Sequence, residues 1–466
     1  MIDNSKEDPP AKSGTCGQNR IDKSHRFCAF VGHRADHGQR QSGARMSMHH
    51  ESIVRMTVGA STDLAGNVSG RSPSAGTGIG SAPLLQQITV TTKTWPSPSA
   101  QQFLNRSRWV LLMFVASRMI IFSLALLSRD VIYPGPYFKE GGLMAILTQW
   151  DAGWYLSIAR DGYFFVEGSE SSAVFFPFYP LVVRAVGYAF GDLPITGVLL
   201  SNLALAGAAI LLQELIRIDY ADARIGRSAI VFLMFSPVSF FFSSVHTEST
   251  FLLLAAGAFL AARKERWLLA GLCGAALSAT RNVGVLILLP LLAEFVQQRR
   301  PSESGRRTVF QPQVLWLALV PLGLAAFFLF CYFQWGDPLA NLKAAAQWGR
   351  TLAPPWQTLA NAFGLPVFYR WLFLLLLLAA MVVFGVGVWL RVRLSYLIYA
   401  GSCIAIYLCS NSLESVPRYL SIVFPLFITL GIVVTRFPCS YEPLLAGSCA
   451  LLTLCTALWA NGYWMT

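Results

Sequence analysis

The segment "QWDAGWYLSIARDGY" spans Gln149 to Tyr163 and places two carboxylates, Asp151 and Asp161, among four large aromatic rings. It follows one strongly apolar run and precedes several others. Because ionisable groups are costly at membrane depth, those that occur there usually have a function. The two aspartates are therefore the first candidates for a chemical role in this chain.

The composition of the 466-residue chain indicates a membrane protein. Hydrophobic residues make up 54% and charged residues 13%, whereas a soluble domain carries about a quarter charged residues. The formal net charge is +12, but lysine and arginine mostly punctuate the apolar runs instead of clustering on a polar domain. This distribution argues against a nucleic acid partner and is typical of loops between membrane helices.

The first part of the chain differs from the rest. Residues 1–105 are rich in Ser, Gly, Arg and His and show no sustained apolar periodicity, so we predict a disordered polar segment ahead of a membrane domain at 106–466. Five of the six histidines lie in this segment together with Cys16 and Cys28. The cysteine spacing does not fit a zinc finger, and no CxxC motif occurs, so neither a zinc site nor a disulfide framework is predicted.

The apolar runs begin at Trp109. A helix that crosses the hydrocarbon core needs roughly 20 apolar residues, and fewer where short helices pair inside the protein. The predicted fold is therefore an all-α polytopic membrane bundle of about eleven transmembrane helices. We place them near 109–128, 194–213, 228–245, 247–262, 267–280, 283–297, 314–335, 367–389, 394–411, 418–435 and 443–461.

Basic residues predict the direction of the chain, because cytoplasmic loops carry an excess of lysine and arginine. With residue 106 on the cytoplasmic side, eleven spans also place the basic loop at 298–307 there. A single helix over 267–297 would instead turn that loop outward. We therefore predict a break between two spans at Arg281 and Asn282.

This topology assigns five segments to the extracytoplasmic side. Almost every charged residue that is not a cytoplasmic anchor lies in one of them. We therefore predict that the five segments meet at one face, where the chemistry takes place. They are 129–193, 244–249, 280–282, 336–366 and 410–419.

The first of these segments is expected to hold interfacial helices. A helix over 149–160 would place Trp150, Trp154 and Ile158 on one stripe, with the aromatic rings at the depth of the lipid headgroups. A second helix over 175–187 would close the loop. Asp151 could instead serve only to cap the first helix, and Asp161, which precedes Gly162, could serve only in a turn.

The other candidates are a histidine, a glutamate and three arginines on the predicted outer side. Thr247 could cap a helix that follows "VHTES"; the functional alternatives are that His246 or Glu248 binds a sugar hydroxyl, binds a metal or assists a base. Guanidinium groups hold phosphate through two parallel hydrogen bonds, so Arg281, Arg350 and Arg418 are candidates for phosphate binding. The alternative for Arg418 is an ion pair with Glu414 or a position at the membrane interface.

The sequence contains no P-loop, no GxGxxG after a suitable strand and no HExxH. A soluble nucleotide donor is therefore not expected. A lipid phosphate would suit the chain better, since its tail would lie against the spans and its phosphate would meet the arginines.

Six segments, in this order, resemble the PIG-V-type mannosyltransferases of the GT-C superfamily of polyprenyl-phosphate-sugar-dependent glycosyltransferases, over roughly residues 105–466. The resemblance implies a GT-C-like bundle with its active site on the extracytoplasmic side. It also implies inverting transfer of mannose, or a related sugar, from a polyprenyl phosphate to a lipid-linked or glycan acceptor. The segments are "QWDAGWYLSIARDGY", "VFFPFYPLVVRAVG", "FSPVSFFFSSVHTESTFLLL", "ALSATRNVGVLILLPLL", "QWGDPLANLKAAAQWGR" and "VPRYLSIVFPLF".

The family carries an acidic residue in its first outer loop, and Asp151 matches that position. The expected mechanism has Asp151 as general base and Arg418, helped by Arg281 or Arg350, as the group that stabilises the leaving phosphate. Further substrate contacts are expected from Trp150, Trp154, Tyr155, Asp161, His246 and Glu248. Two acids could also hold a divalent metal, magnesium or manganese, although the sequence requires no cofactor.

Eukaryotic members of this family act in GPI-anchor synthesis, but a GPI precursor is not assumed as the acceptor here. The expected partners are the lipid-linked donor, the acceptor and membrane lipids. The expected location is the plasma or inner membrane of a prokaryote, or the endoplasmic reticulum of a eukaryote.

Two other classes of function fit parts of the sequence. A lipid or solute transporter predicts charged residues buried within spans and inverted repeats, and no convincing repeat is visible. A non-catalytic scaffold of the same fold would be favoured if Asp151 and Arg418 lay far apart.

Overall fold

The computed structural model describes residues 100–299 and 311–465. Within these ranges every regular element is a helix, and no strand occurs. The predicted all-α polytopic fold class is confirmed for this part of the chain. The first helix begins at Ala100 and so includes residues 100–105, which the sequence assigns to the polar segment. The predictions of disorder and of no zinc site for 1–99 lie outside the described residues.

Seventeen α-helices follow one another along the described residues, joined in places by short 3-10 turns. They are α1 Ala100–Ser128, α2 Leu143–Leu147, α3 Asp151–Asp161, α4 Phe178–Phe190, α5 Leu193–Asp219, α6 Ala223–Met234, α7 Glu248–Arg263, α8 Trp267–Ser278, α9 Leu288–Gln297, α10 Leu322–Trp335, α11 Ala340–Gln347, α12 Pro355–Asn361, α13 Val367–Trp389, α14 Leu394–Leu408, α15 Val416–Leu420, α16 Phe424–Arg436 and α17 Tyr441–Ala460. The 3-10 turns are Ser172–Val174, Ser239–Phe242, Asn282–Ile287, Pro312–Leu319, Ala362–Gly364 and Pro438–Ser440.

Five helical stretches in the described part of the chain are long and apolar enough to cross a membrane. They are Asn105–Ser128, Leu193–Asp219, Pro312–Trp335, Val367–Trp389 and Pro438–Ala460, and each coincides with a predicted span. The other predicted spans correspond to shorter helices. The total of eleven crossings and their direction therefore stay predictions.

Two predicted spans are interrupted, so the prediction of one continuous helix in each is wrong. The span at 228–245 ends as a helix at Met234, because Pro237 cannot donate a backbone hydrogen bond and disfavours helical geometry in the residue before it. The span at 418–435 divides into α15 and α16, with Pro425 in the first turn of α16. The predicted break at Arg281 and Asn282 is confirmed, since α8 ends at Ser278 and the next helical turn begins at Asn282.

Small residues allow the helices to pack backbone to backbone, as is usual for helices in membranes. A Cβ atom at Gly431 of α16 would lie 2.4 Å from the carbonyl oxygen of Ile225 in α6, and one at Gly323 of α10 would lie 2.0 Å from that of Ala275 in α8. Helix α7 lies between α5 and α8 and packs closely against both. These contacts form a buried core from which the shorter helices and loops project.

The connection between α6 and α7, residues 235–247, is held in place by a buried arginine of α1. Arg118 is 4% exposed. Its Nη1 donates to the Ser239 carbonyl at 2.8 Å and to Ser243 Oγ at 3.0 Å, and its Nη2 donates to the Met234 carbonyl at 3.1 Å and to Ser239 Oγ at 2.7 Å. Its Nε donates to Ser117 Oγ at 3.2 Å. The guanidinium thus satisfies groups that the break after α6 leaves without helical partners.

A variant with Arg118→Lys should be less stable than the wild type. Lysine keeps the charge but replaces a planar fork of five donors by three donors on one atom. Hydrogen bonds to charged groups contribute about 1.5–3 kcal/mol each, so the apparent melting temperature in detergent should fall by at least about 5 °C. Arg224→Lys is the control, because Arg224 forms an exposed pair with Asp222. Equal melting temperatures for Arg118→Lys and the wild type would contradict this role.

Candidate active site

Asp151 opens α3 directly after a residue with unusual backbone geometry. Trp150 has φ 61° and ψ −131°, a conformation that residues other than glycine rarely adopt and that often marks functional sites. Its ring packs against Tyr137 and Trp464, with ring centroids 5.0 and 5.2 Å apart. This aromatic contact holds the turn from which the Asp151 carboxylate emerges.

The buried face of α3 differs from the predicted stripe. Trp150 precedes the helix, so the prediction that it shares a helical stripe with Trp154 and Ile158 is wrong. The helix instead buries Ala152, Tyr155, Ile158 and Ala159 and packs against α4 and α5. Packing against these two helices fixes the direction of the Asp151 side chain.

Four charged side chains from distant parts of the sequence form one buried cluster. Arg418 Nη1 donates to Asp151 Oδ2 at 2.6 Å, and Arg418 Nε lies 2.6 Å from Glu248 Oε1. The second contact is an ion pair that is not aligned as a hydrogen bond. Arg281 Nη1 donates to the same Glu248 oxygen at 2.8 Å. Negative and positive charges therefore alternate through Asp151, Arg418, Glu248 and Arg281, which we call the charged cluster.

Asp151 is the more accessible of the two acids in the charged cluster. Its side chain is 24% exposed, whereas those of Arg418 and Glu248 are 3% and 0% exposed. Burial by itself raises the pKa of Asp151, but the charge and the hydrogen bond of Arg418 outweigh burial and hold that pKa below its ordinary value. The carboxylate is therefore ionised at neutral pH and can be reached from outside the cluster.

The charged cluster and the residues around it hold several buried polar atoms that have no hydrogen-bond partner among the described residues. A buried polar atom without a hydrogen bond costs free energy, so each needs an explanation, and a bound ligand is one. The indole nitrogens of Trp150 and Trp348 and the Tyr407 hydroxyl are donors of this kind. Nε2 of His246, Oε2 of Glu248 and Nε of Arg418 are further atoms without a hydrogen bond, although the Arg418 nitrogen is ion-paired with Glu248.

A second buried glutamate shows the contrasting case. Glu294 lies near the opposite end of α7, where its two oxygens accept five hydrogen bonds from Arg263, Gln298, Arg393 and Ser395. Glu248 is equally buried, yet one of its oxygens has no partner. Both oxygens of Glu294 thus accept hydrogen bonds from the protein, whereas one oxygen of Glu248 is left for a ligand.

Aromatic rings form one wall beside the charged cluster. Trp154 stacks on Phe175 at 5.8 Å and meets Trp348 edge-on at 5.4 Å. Tyr155 is 5% exposed, and burial together with the charge of Asp151 raises the pKa of its hydroxyl. Trp348 was not predicted from the sequence. The segment "QWGR" could have indicated it, since this tryptophan lies two residues before the candidate Arg350.

Tyr419 is a second residue of the site that the sequence analysis did not identify. Its ring lies between two arginines, with its centroid 4.4 Å from Arg281 Cζ and 5.5 Å from Arg418 Cζ. Such cation–π contacts favour guanidinium groups in desolvated positions. No sequence signal beyond its position next to Arg418 could have identified it.

Arg350 lies beside the charged cluster and bonds to neutral acceptors. Its Nη1 donates to the Glu414 carbonyl at 3.1 Å and its Nη2 to Ser415 Oγ at 2.9 Å. It thereby supports the turn before α15, where Ser415 has φ 66°. The expected alternative of an Arg418–Glu414 ion pair is not observed, because Arg418 pairs with Asp151 and Glu248.

Asp161 is the candidate that the structure does not bring to the cluster. It ends α3, about 15 Å from Asp151 along the helix axis. It forms an exposed pair with Arg160, 3.3 Å apart.

The five segments that the sequence places on the outer side do meet. Asp151 comes from the first, Glu248 from the second, Arg281 from the third, Arg350 from the fourth and Arg418 from the fifth. The contacts above confirm the predicted convergence, whereas the side of the membrane stays a prediction.

A divalent metal has no ready set of ligands in this part of the molecule. Among the described residues, no group of three or more His, Cys, Asp or Glu side chains could hold a metal ion. Asp151 and Glu248 each contact a guanidinium instead. A magnesium or manganese ion stays a prediction that nothing here tests.

The structure also has a cavity of about 440 Å³ lined by Arg266, Trp267 and Trp316 among other residues. It lies at the opposite end of α8 from Arg281 and contacts no member of the charged cluster.

The chain was compared with known families and proteins. Residues 138–286 match the model of the mannosyltransferase (PIG-V) family. GPI mannosyltransferase 2 of Drosophila pseudoobscura pseudoobscura is 30% identical over 130 residues, which are 25% of this chain and 28% of that protein. GPI mannosyltransferase 2 of Chaetomium globosum is 26% identical over 201 residues, which are 35% of this chain and 42% of that protein. The matched stretches thus span less than half of each relative.

A solved structure with partial likeness is that of ArnT from Cupriavidus metallidurans bound to undecaprenyl phosphate. The TM-score is 0.47 at 17% identity, covering 73% of this chain and 63% of that chain.

The family model and the two relatives confirm the predicted resemblance to PIG-V-type mannosyltransferases. The long apolar helices indicate an integral membrane protein, and the likeness to the mannosyltransferase (PIG-V) family covers residues 138–286. The matched residues include Asp151, Glu248 and Arg281, whereas Arg350 and Arg418 lie beyond them.

A comparison of the wild type with Asp151→Asn should show a pH-dependent difference in stability. Because the pKa of Asp151 is lower in the folded protein than its unfolded value of about 3.9, the ionised carboxylate stabilises the fold above that pH, and this stabilisation disappears as the pH falls through the folded-state pKa. The wild type should melt at a higher temperature at pH 7 and pH 5, and the difference should shrink below about pH 4.

The matched control is Asp161→Asn, at the exposed end of the same helix. Its melting temperature should equal that of the wild type at every pH. A difference between Asp151→Asn and the wild type that stays constant from pH 7 to pH 3 would contradict the inferred ion pair.

Proposed function

We propose that this chain, which resembles the PIG-V mannosyltransferases over residues 138–286, transfers mannose or a related sugar from a polyprenyl-phosphate donor to a lipid-linked or glycan acceptor. The observation that carries the proposal is the 2.6 Å contact between Asp151 and Arg418. It joins a reachable carboxylate to a guanidinium suited to phosphate. Together they supply the two functions that sugar transfer from a phosphate requires.

The charges around the site favour an anionic ligand of low charge. Asp151 and Glu248 contribute two negative charges, and Arg281, Arg350 and Arg418 contribute three positive charges, which leaves a net charge of +1. A sugar phosphodiester carries one negative charge and would balance it. Because the surrounding helices are apolar, a donor with a lipid tail suits this position better than a free nucleotide sugar.

Donor binding would also change the state of the base. In the structure Arg418 holds Asp151 as an ion pair, which lowers the affinity of the carboxylate for a proton. A phosphate that binds Arg418 competes with Asp151 for the same guanidinium. Asp151 thus becomes more basic when the donor is in place, which couples proton removal to donor binding.

The transfer is a single displacement. Asp151 takes the proton of an acceptor hydroxyl as that oxygen forms a bond to the anomeric carbon. The bond between the anomeric carbon and the phosphate oxygen breaks, and the phosphate leaves with the electron pair. Arg418 and Arg281 stabilise the charge that develops on it. Attack from the face opposite the phosphate inverts the configuration of the sugar.

The aromatic wall and the unpaired polar atoms suit a sugar. Trp154 and Trp348 offer flat apolar faces, and the indole nitrogens of Trp150 and Trp348 are donors without partners. Oε2 of Glu248 is an acceptor that can orient a hydroxyl. A mostly aromatic lining with a few directed polar groups is typical of small-ligand sites.

The two alternative functions receive less support. A scaffold would be favoured by a separation of Asp151 from Arg418, and these residues are in contact. A transporter would be favoured by charged groups within spans that a solute could reach. Arg118 is a buried charge within α1, but its guanidinium donates all its hydrogen bonds to the protein.

The first test is Asp151→Asn in membranes supplied with labelled polyprenyl-phosphate mannose and lipid extract as acceptor. Loss of a general base typically costs about 10²- to 10⁴-fold in rate, so transfer should fall at least about 100-fold. Asp161→Asn is the matched control and should keep wild-type transfer. Undiminished transfer by folded Asp151→Asn would remove Asp151 from this role.

The second test is Arg418→Lys, which keeps the positive charge beside Asp151 and Glu248. The loss of the planar fork should weaken phosphate binding, and the KM for the donor should rise about 10-fold. Arg224→Lys, at an exposed pair, serves as the control. A donor KM equal to that of the wild type would argue against a phosphate at Arg418.

A further inference from the structure

The segment that carries His246 is rigidly held. Ser243, in the connection between α6 and α7, accepts a hydrogen bond from Arg118 and donates to Asn202 Oδ1 at 2.9 Å. Ser249 Oγ in turn donates to the Phe242 carbonyl. Ser243, Ser244 and His246 are completely buried. The position of the imidazole ring is therefore fixed by the fold before any substrate binds.

The hydrogen bonds of Ser244 assign the protonation of the imidazole. A serine hydroxyl has one proton to donate, and Ser244 Oγ donates it to the Phe241 carbonyl at 3.0 Å. The 2.8 Å contact between Ser244 Oγ and His246 Nδ1 is then one in which the imidazole donates. Nδ1 carries the proton, and Nε2 presents a lone pair.

This lone pair is buried and has no hydrogen-bond partner among the residues that the structure describes. His246 lies two residues before Glu248, and Asp151, Arg281 and Arg418 also act on its charge. Burial, followed by the charge of Arg418, lowers its pKa to about 4, so the ring is neutral at physiological pH. In the connection between α6 and α7, Ser243 and Ser244 are hydrogen-bonded, whereas His246 Nε2, beside the charged cluster, and Ser236 Oγ, ten residues earlier, are not.

We propose that Nε2 of His246 accepts a hydrogen bond from a hydroxyl group of the substrate. This inference rests on the proposed function and adds to it one hydrogen bond in which the protein accepts and the substrate donates. A lone pair cannot bond to a phosphate oxygen, which is also an acceptor, so His246 recognises a hydroxyl and the arginines recognise the phosphate. The hydroxyl belongs either to the sugar of the donor or to the acceptor.

Two variants test separately the roles of the two imidazole nitrogens, Nε2, which would bind the substrate, and Nδ1, which bonds to Ser244. In His246→Asn the carboxamide replaces Nδ1 and can keep the bond to Ser244, but no atom replaces Nε2. In His246→Gln the carboxamide oxygen can reach the position of Nε2. A site built to bind a hydroxyl loses much of its activity when the bond is removed, so kcat/KM should fall about 10- to 100-fold in His246→Asn. His246→Gln should recover part of it.

Substrates that lack single hydroxyls identify the partner. Polyprenyl-phosphate donors with deoxymannose at each position, and acceptors with single hydroxyls removed, are compared in the wild type and in His246→Asn. Removal of the partner hydroxyl should cost the wild type about as much as the mutation does and cost His246→Asn almost nothing further. If the losses are non-additive in the donor series, the partner hydroxyl belongs to the donor sugar. If they are non-additive in the acceptor series, it belongs to the acceptor. Additive losses throughout both series would overturn the inference.

A measurement that needs no turnover tests the tautomer and the contact. His246 is the one histidine beyond residue 50 of the sequence, and in full-length protein with ¹⁵N-labelled histidine its signals are those that disappear in His246→Asn. Nδ1 should appear protonated and Nε2 unprotonated, with the Nε2 signal shifting when polyprenyl-phosphate mannose is added or when the lipid extract that serves as acceptor is added. A protonated Nε2, or a signal that neither substrate shifts at saturation although the wild type uses both, would refute the proposal.

These outcomes are distinguishable from a failure of the proposed function. If the wild type transfers sugar while the losses are additive, the His246 contact is wrong and the transferase assignment stands. If the wild type transfers no sugar and neither donor nor acceptor changes the Nε2 signal, both are wrong. If the signal shifts without transfer, the contact stands and the reaction is wrong.

Discussion

The site depends on the contact between Arg418 and Asp151, and on the constraint that a charge buried among apolar helices needs a partner of opposite sign. Arg418 lies at the start of a short helix after the α14 turn, and Asp151 opens a helix 267 residues earlier in the chain. Glu248 contacts Arg418 on the other side and is in turn held by Arg281. Removal of Arg418 would leave Asp151 without its ion-pair partner, and removal of Glu248 would leave Arg281 without its own. Because an unpaired buried charge is costly, the four elements that carry these charges must meet.

Two buried groups of charges lie near opposite ends of α7, and one joins helices whereas the other can bind a ligand. Around Glu294 the protein supplies hydrogen bonds to both carboxylate oxygens, so that group joins helices. Around Glu248 and Asp151 the protein leaves an acceptor, a lone pair and two indole donors without partners. Buried ion pairs contribute little net stability once their desolvation is counted. The charged cluster, in which the Glu248 carboxylate keeps one oxygen without a partner, is therefore better explained by what it binds than by what it stabilises.

The break between α6 and α7 connects these features. Pro237 ends helical hydrogen bonding, and Arg118 from another helix bonds to the carbonyls of Met234 and Ser239 and to the hydroxyls of Ser239 and Ser243. That arrangement gives a non-helical segment within a predicted span, which is tolerated where protein groups replace the missing backbone partners. The same segment presents His246 beside the charged cluster, so one buried arginine fixes a residue that we assign to substrate binding.

The sequence by itself determined that the chain is an all-helical membrane protein, that a break falls at Arg281, and which acids and arginines are candidates, because hydropathy, helix breakers and rare charges are local properties. It also showed the resemblance to PIG-V-type mannosyltransferases, through motifs such as the segment around Asp151, and the family model matches residues 138–286. It could not show that 228–245 is interrupted, that Trp150 precedes α3 instead of lying on its stripe, or that Asp161 points away from the site. It gave no reason to choose Tyr419 or Trp348. Only the tertiary structure decided these points, because the pairing of charges and the burial of single nitrogen and oxygen atoms depend on contacts between residues that are hundreds of positions apart.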